Sequence, residues 1–427
     1  MKNLKEFLPS FIYLGLIIGT GLVPNFEALD RIATQWLFLS LINTLGLLHF
    51  LFIGYTQKTI KSFLNFKPFI FLLLFIFWGL LSFFYSTNSV EVLVKFVRWI
   101  QLPITLFIFS IIYFSFKDTN YFIKTISVLI TLVLLIELYF SFSPYFQIVD
   151  YTNYNFSFAN VLKGATANKN ITAASILIKT PFVIYLILIF KNRAIQFFLS
   201  IISFSTFYLV FLLSARSAII AFFSISIALL FTFIIRFIKD KSILKDPAIS
   251  MIMGSLLFSV IFFQLNFRNN NSASFIKRVS TINIEDESTN QRIRFYKHSI
   301  NQILSHPIIG VGLGNWKIKS IDYDKEDVRG YTVPYHTHND FLEMGAELGL
   351  VGLLLYFLIF YYPLKGLLQN FNNKDININT LILCAGIVYF IDANLNFPHA
   401  RPVMQIPFLL ILIISFAKKN KLKDDNI

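Results

Sequence analysis

Long apolar segments recur along almost the whole chain, and they restrict its fold more than any other feature. A helix needs about 20 consecutive, mostly apolar residues to cross the hydrocarbon core of a bilayer. Twelve segments approach or reach this length: residues 7–23, 32–54, 68–85, 91–114, 121–143, 171–190, 195–213, 217–238, 248–265, 345–362, 378–396 and 400–417. The pattern predicts an all-α polytopic membrane protein with about twelve transmembrane helices.

The composition excludes the soluble alternatives. Hydrophobic residues make up 56% of the 427 residues, charged residues make up 14%, and Phe alone accounts for 51 positions. A typical soluble domain carries about a quarter charged residues, which cover its surface. A secreted globular enzyme, a disordered chain and a nucleic-acid-binding domain are therefore excluded, although the net charge is +14.

Two local features concern processing and redox chemistry. Cys384 is the single cysteine, so neither an intrachain disulfide nor a cysteine-based metal site is expected. The apolar run 7–23 resembles a signal peptide, but no small-residue cleavage site follows it. We therefore interpret it as a retained first membrane helix.

Lys and Arg are concentrated in alternate connections between the apolar segments, which indicates an orientation. Short cytoplasmic loops of membrane proteins carry an excess of these residues. With the N-terminus inside, the basic clusters at 58–67, 236–245 and 418–423 are all cytoplasmic, and so are both termini. Much of the positive charge then reflects topology, with some attraction to anionic membrane lipids.

This orientation places one long polar segment outside. It divides the chain into an N-terminal bundle of about nine helices (residues 1–265), a large outer loop (266–344) with the candidate catalytic motifs, and about three C-terminal helices (345–427). Four histidines lie in the loop: His298, His306, His336 and His338.

The middle of the loop contains a predicted helix followed by a glycine-rich turn. The helix begins near residues 289–290 and ends at His306-Pro307. The run Gly310-Val311-Gly312-Leu313-Gly314 then predicts a turn with free backbone amides. This run follows no strand, so a nucleotide-binding site is not expected.

His338 lies a few residues before the tenth apolar segment. A neutral imidazole at this level can accept a proton from a substrate at the lipid headgroups, and Glu343 or Asp340 could orient it. The alternative is a solvated loop with an Asn/Asp turn. His336 and His338 could also bind zinc together with a third ligand, for which the candidates are His306, Asp340 and Glu343. No second dense ligand cluster supports that alternative, and we expect no metal.

Several basic residues lie at or near the predicted outer face. Arg216 occupies a short outer connection, where it either reaches the interface as a topology residue or binds an anion. Lys169, at the outer start of the sixth segment, could join it. For His399 and Arg401, a proline-rich interfacial turn is the simpler interpretation. Further ionisable residues are functional candidates because they lie within or near spans: Lys95, Arg98 and Lys179, the last of which could also snorkel.

Four motifs resemble those of the O-antigen ligase superfamily, which includes lipopolysaccharide O-antigen ligases, O-antigen polymerases and bacterial protein O-oligosaccharyltransferases. The motifs are Ser214-Ala215-Arg216-Ser217, Arg292-x-x-x-Tyr296 with the run 303–312, His338-Asn339-x-x-Leu342-Glu343 with the run 347–352, and Asn168-x-Asn170. The layout of spans and loop is similar as well.

The resemblance implies a fold like that of C-type glycosyltransferases and a reaction at the periplasmic face of the bacterial inner membrane. A glycan carried on undecaprenyl pyrophosphate would be transferred to a hydroxyl of lipid A core, another glycan or a protein, without metal or other cofactor. Such reactions build lipopolysaccharide O-antigen and other surface polysaccharides.

The resemblance also implies roles for individual residues. Arg216 and Arg292 would hold the pyrophosphate, with Arg294 as a second candidate and Lys169 nearby. His338 would be the general base, with His336 as the alternative base and Glu343 beside them.

Three other functions remain open at this point. A polymerase of the same superfamily differs from a ligase only in its acceptor. A transporter or flippase would place ionisable residues near mid-membrane, on broken helices in paired halves. A non-catalytic assembly scaffold would tolerate every Arg and His substitution.

Overall fold

The computed structural model describes residues 4–30, 32–53, 63–116, 118–147, 158–166, 168–266, 287–325, 335–369 and 376–424. Parts of the predicted outer loop (267–286 and 326–334) and of one basic cluster (58–62) lie outside these ranges. The helices longer than one or two turns are α1 (Leu4–Gly19), α2 (Ala33–Ile53), α3 (Lys67–Leu81), α4 (Ser89–Ser115), α5 (Thr119–Tyr145), α6 (Lys169–Ile189), α7 (Arg193–Leu213), α8 (Arg216–Lys239), α9 (Pro247–Asn266), α10 (Glu287–Ser305), α11 (Trp316–Asp324), α12 (Asp340–Gln369), α13 (Ile376–Leu395) and α14 (Pro402–Asp424).

Helices of membrane-spanning length dominate the described residues. Eleven are long and apolar enough to cross a bilayer, and a shorter apolar helix covers Leu8–Leu22. Together they coincide with the twelve predicted segments, so the prediction of an all-α polytopic membrane protein is confirmed. Helices α6 and α14 are the most deeply buried and lie at the centre of the bundle.

Side-chain caps mark where four of the spans begin. Asn88, Asp118, Asn168 and Asn192 precede α4, α5, α6 and α7, and each side chain accepts hydrogen bonds from two amides of the first turn. These amides have no partner within the helix, so a short polar side chain at this position stabilises the helix start.

Helix α12 begins at Asp340, five residues before the predicted start of the tenth span. It is interrupted at Gly349, whose φ of 67° and ψ of −169° are not helical. Two turns of helix (340–348) therefore precede the apolar stretch that begins at Leu350. The early start is explained by Asn339, whose side chain accepts from the amide of Leu342 at 3.0 Å.

The glycine-rich turn packs against this interruption. The amides of Val311 and Gly312 donate to the carbonyls of Ala346 (3.1 Å) and Glu347 (2.7 Å). A Cβ atom on Gly310 would lie 2.4 Å from the Glu347 carbonyl. The prediction of free amides is wrong here, because these amides bind the backbone of α12.

The charged residues near the spans are paired rather than free. Lys179 does not snorkel; its ammonium lies 2.9 Å from both carboxylate oxygens of Glu137, and both side chains are buried. Arg98 pairs with Asp30. Among the described residues these are local ion pairs, and Asp30 also lies close enough to Arg401 to interact with its charge.

Candidate functional site

Helix α10 links two of the predicted arginines, Arg216 and Arg292. The guanidinium of Arg216, the first residue of α8, lies 3.3 Å from the hydroxyl of Thr289 on α10. Arg292, one turn further along α10, donates to the side-chain oxygen of Asn396 at 3.5 Å. The amide group of Asn396 in turn donates to Ser217 at 3.0 Å.

His338 lies beside these residues in an unusual backbone conformation. Its φ is +60°, in the left-handed region that a residue with a side chain seldom adopts. The Tyr296 hydroxyl, one turn after Arg292, donates to the His338 carbonyl at 3.1 Å and lies 3.0 Å from the Asn394 carbonyl. The imidazole Nδ1 is buried and has no hydrogen-bond partner in the described part of the chain.

A cavity of about 60 Å³ adjoins His338. Its polar lining consists of Asn168, Asn170, His338, Asp392, Asn396 and Arg401. The Nε of Arg401 is also buried without a hydrogen-bond partner among the described residues. Burial lowers the pKa of Arg401 to about 10, which leaves the group charged at neutral pH. Two buried nitrogens without partners at one cavity indicate a binding site for a polar ligand.

The ring of Phe397 separates the two histidines of the loop. It stacks on His336 with a centroid distance of 4.3 Å and meets His338 edge-on at 5.2 Å. The guanidinium carbon of Arg401 lies 4.7 Å from the centroid of the same ring. Phe397 therefore fixes the relative positions of both candidate bases and of one cation.

A buried network of charged groups lies behind His336. Its centre is Glu343, whose carboxylate lies 2.9 Å from His336 Nδ1 and 3.3 Å from His399 Nε2. His399 Nδ1 lies 2.7 Å from Asp340, which also accepts from the Tyr356 hydroxyl at 3.0 Å. The carboxylates of Asp340 and Glu343 lie on the same face of α12, because residues three apart in a helix are neighbours on its surface.

Lys95 completes this network from α4. Its ammonium lies 3.9 Å from Glu343 and 3.5 Å from His399 Nε2. The donor atoms of His336, Glu343 and His399 lie within 4.8 Å of one another, close enough to hold a metal ion. The ammonium of Lys95 beside them opposes a divalent cation, so the arrangement fits a charge network better than a metal site.

The histidines differ in charge because their surroundings differ. Burial, followed by the positive charge of Arg292, lowers the pKa of His338 to about 4. Burial likewise lowers the pKa of His336 to about 4, although Glu343 opposes the shift. Burial also disfavours the charged form of His399, but Asp340 and Glu343 outweigh it and raise its pKa to about 9. At neutral pH, His336 and His338 are neutral and His399 is protonated.

Other predicted residues have different surroundings. Arg294 pairs with Asp324 of α11, with Nε 2.7 Å from the carboxylate, so its charge is already compensated. His298 lies 3.8 Å from the same carboxylate, and His306 contacts Gln302. Lys169 is the first residue of α6, between the cavity-lining Asn168 and Asn170.

Sequence reasoning underestimated two residues and misplaced a contact. His399 and Arg401 were assigned to an interfacial turn, yet His399 joins the charge network and Arg401 lines the cavity. Glu343 or Asp340 is a candidate in the sequence to orient His338, but Glu343 contacts His336 and His399, and Asp340 contacts His399. The available signal was Arg401 itself, because Arg on the predicted outer side disagrees with the charge bias of the loops.

The match to a known family covers the segment that supplies much of this site. Residues 198–357, which include Arg216, Arg292, His336, His338 and Glu343, match a family model described as "O-Antigen ligase".

Three similar proteins, from Rickettsia typhi, Rickettsia conorii and Rickettsia bellii, are each named "Putative polysaccharide ligase". The R. typhi protein is 26% identical over 297 residues, which is 69% of this chain and 67% of that protein. The R. bellii protein is 25% identical over 332 residues, or 76% and 72%. The R. conorii protein is 31% identical over 191 residues, only 44% of either chain. The family match, these relatives and the all-helical membrane architecture agree: the chain is similar to the O-antigen ligase family over residues 198–357 and to putative polysaccharide ligases over a larger part of its length.

Proposed function

We propose that this protein is a glycosyltransferase that moves a glycan from a polyprenyl diphosphate to an acceptor hydroxyl, with undecaprenyl pyrophosphate as the carrier. One observation supports this most strongly: His338 and Arg401 line one small cavity, and two further arginines lie near its wall. Arg292 donates to Asn396, which also lines the cavity, and Arg216 precedes Ser217, to which Asn396 donates. Guanidinium groups match the geometry of phosphate oxygens.

The transfer step uses these groups in complementary roles. The imidazole of His338 accepts the proton of the acceptor hydroxyl while the acceptor oxygen bonds to the anomeric carbon of the glycan. The bond from that carbon to the diphosphate oxygen breaks, and its electron pair stays on the diphosphate. Arg216 and Arg292 stabilise this growing negative charge, an effect that is strong in a poorly hydrated site.

Donor binding would also strengthen the base. In the empty site the positive charge of Arg292 lowers the pKa of His338. A bound diphosphate offsets that charge, so the pKa of His338 rises when the donor is present. The proton acceptor then becomes effective only after the leaving group is in place.

His336 remains the alternative base, and Glu343 would orient it through the contact at Nδ1. The cavity favours His338, because His338 lines it. The network of Lys95, Glu343 and His399 would position the segment that carries both histidines. Arg294 is a weaker candidate for the phosphate than Arg292, because Asp324 compensates its charge.

The reaction would take place at the periplasmic face of a bacterial inner membrane, with both termini in the cytoplasm. The basic clusters on alternate loops support this orientation. The acceptor would be lipid A core, another glycan or a protein hydroxyl. In a deletion strain, loss of a ligase leaves long chains on the lipid carrier, whereas loss of a polymerase leaves single repeats on the final acceptor.

Alanine variants of Arg216, Arg292 and His338, expressed in the deletion strain, test this proposal. Each is expected to abolish surface glycan while the protein still inserts and accumulates. Lys191→Ala is a matched control that should restore glycan, because Lys191 is exposed and follows the end of α6 opposite the cavity-lining Asn168 and Asn170. Normal surface glycan in all three site variants would overturn the proposal. Transport of a lipid-linked glycan that survives His338→Ala would favour a flippase instead.

A further inference from the structure

A second cavity, of about 370 Å³, lies at the other end of the bundle from the candidate site. Helices α12 and α14 run from one to the other. Arg401 precedes α14 at the site, whereas Lys418 and Lys419 at the end of α14 line the second cavity. At 1.5 Å per residue, this separation is roughly 25 Å, the thickness of a bilayer core.

The lining of this second cavity is strongly basic. Lys67, Lys365, Lys418 and Lys419 all line it, and no acidic residue is among the described residues of its wall. Lys67, Lys365 and Lys419 are exposed, and none of them forms an ion pair with a described residue. Lys418 is buried and donates to the side chain of Asn379. Such a concentration of positive charge favours an anionic ligand.

The basic cavity continues into an apolar groove. A groove of about 380 Å³ between α8, α12, α13 and α14 shares Pro363, Leu367 and Ile382 with it. The groove extends along α13 past Gly386 to Phe390, and its lining is almost entirely apolar. A ligand that fills both spaces carries its negative charge at one end and a hydrocarbon chain at the other.

We propose that this composite site binds an anionic phospholipid, with the headgroup phosphate among the lysines and an acyl chain in the groove. Basic pockets between transmembrane helices hold such headgroups in other membrane proteins. The charged end lies at the membrane face opposite Arg216, Arg292 and His338, so the ligand is distinct from the glycan donor. This inference does not depend on the proposed transferase activity.

Lipid retention by the purified full-length protein tests the proposal. The protein is reconstituted in nanodiscs with equal amounts of phosphatidylglycerol and phosphatidylcholine, and the lipids that remain bound are counted by native mass spectrometry. We expect preferential retention of phosphatidylglycerol. The triple variant Lys67→Gln/Lys365→Gln/Lys419→Gln should lower its retention by more than about tenfold, because each lysine near a headgroup is worth about fivefold.

Two further variants separate charge from shape. Lys191→Gln/Lys241→Gln/Lys245→Gln removes three exposed charges that do not line the cavity, and retention should stay unchanged. Gly386→Phe keeps every lysine but fills the groove, since a Cβ at Gly386 has open space around it, and it should lower retention. Gly15→Phe, at an equally open glycine on α1, is its control.

Three outcomes would overturn the proposal. Equal retention of the two lipids would exclude recognition of charge. Equal behaviour of the two triple-lysine variants would exclude this cavity. The third outcome combines two results: millimolar inorganic phosphate displaces the bound lipid, and Gly386→Phe leaves lipid retention unchanged. Together they would indicate a site for free phosphate only.

Discussion

The hydroxyl of Tyr296 lies 3.1 Å from the carbonyl oxygen of His338, which joins the helix that carries Arg292 to the segment that carries the candidate base. Arg292 and Tyr296 are four residues apart on α10, so they lie on the same face, one turn from each other. This spacing lets one helix position both the proposed leaving-group ligand and the proposed base.

Tyr296→Phe tests that connection, because it removes only the hydroxyl. The carbonyl of His338 would lose its hydroxyl donor, a change worth about 1–3 kcal/mol. We expect glycan transfer in isolated membranes to slow by roughly ten- to a hundredfold at normal protein levels. Tyr139→Phe, at an exposed position on α5, is the control. An unchanged rate in Tyr296→Phe would show that the connection has no role in transfer.

The charge network predicts a loss of stability at alkaline pH. The folded protein raises the pKa of His399 above its ordinary value of 6.5 to about 9. The resulting stabilisation, on the order of 3 kcal/mol, is complete below pH 6.5 and is lost as the pH rises through 9. The midpoint temperature of thermal unfolding should therefore decrease as the pH is raised from 7 to 9.5.

His399→Gln is the matched variant for this measurement. It removes the titrating group and should flatten the alkaline decline, while it lowers the midpoint at neutral pH because Asp340 and Glu343 lose a cationic partner. A wild-type midpoint that stays constant up to pH 9.5 would contradict the assignment of a protonated His399.

The pH dependence of transfer should distinguish the empty site from the donor-bound site. The pKa of His338 is about 4 in the empty site, so kcat/KM for the donor should show an acidic limb near that value. Because the bound diphosphate offsets Arg292, the acidic limb of kcat should lie at higher pH. If the acidic limb of kcat lies at the same pH as that of kcat/KM, or at a lower pH, donor binding does not raise the pKa of His338.

The backbone contact at Gly349 predicts a strong effect of a single methyl group. A Cβ at this position would lie 2.2 Å from the carbonyl oxygen of Ile308, and its φ of +67° disfavours any other residue. Gly349→Ala should reduce protein accumulation and lower the thermal midpoint, at a cost of about 1–3 kcal/mol. Gly386→Ala, where a Cβ meets nothing within 4 Å, should be neutral or mildly stabilising. Equal behaviour of the two variants would show that the contact does not matter.

Much of the fold could be predicted from the sequence, because apolar length and loop charge are local properties. The twelve apolar segments correspond to helices, and the predicted loop helix appears as Glu287–Ser305. The sequence predicts the start of the tenth span at residue 345, five residues too late, because the charged Asp340 and Glu343 are typical of a loop. Their charges are instead compensated by His399 and Lys95, through tertiary contacts that no local pattern encodes.

The candidate site was predicted only in part for the same reason. Arg216, Arg292 and His338 come from motifs: His338 lines the cavity, Arg292 contacts the cavity-lining Asn396, and Arg216 contacts Thr289 on the helix that carries Arg292. Arg401 and His399 carry no motif of their own. Their importance depends on contacts between α12 and the turn before α14, which appear only when the helices are packed together.

Donor binding and transfer, measured separately on the reconstituted protein, test the central claim most directly. A labelled polyprenyl-diphosphate oligosaccharide and a soluble acceptor are supplied to the wild type, Arg292→Ala and His338→Ala. The account predicts that Arg292→Ala loses donor binding, whereas His338→Ala still binds the donor but transfers about 10²–10⁴-fold more slowly. Transfer by His338→Ala at the wild-type rate, or undiminished donor binding by Arg292→Ala, would contradict it.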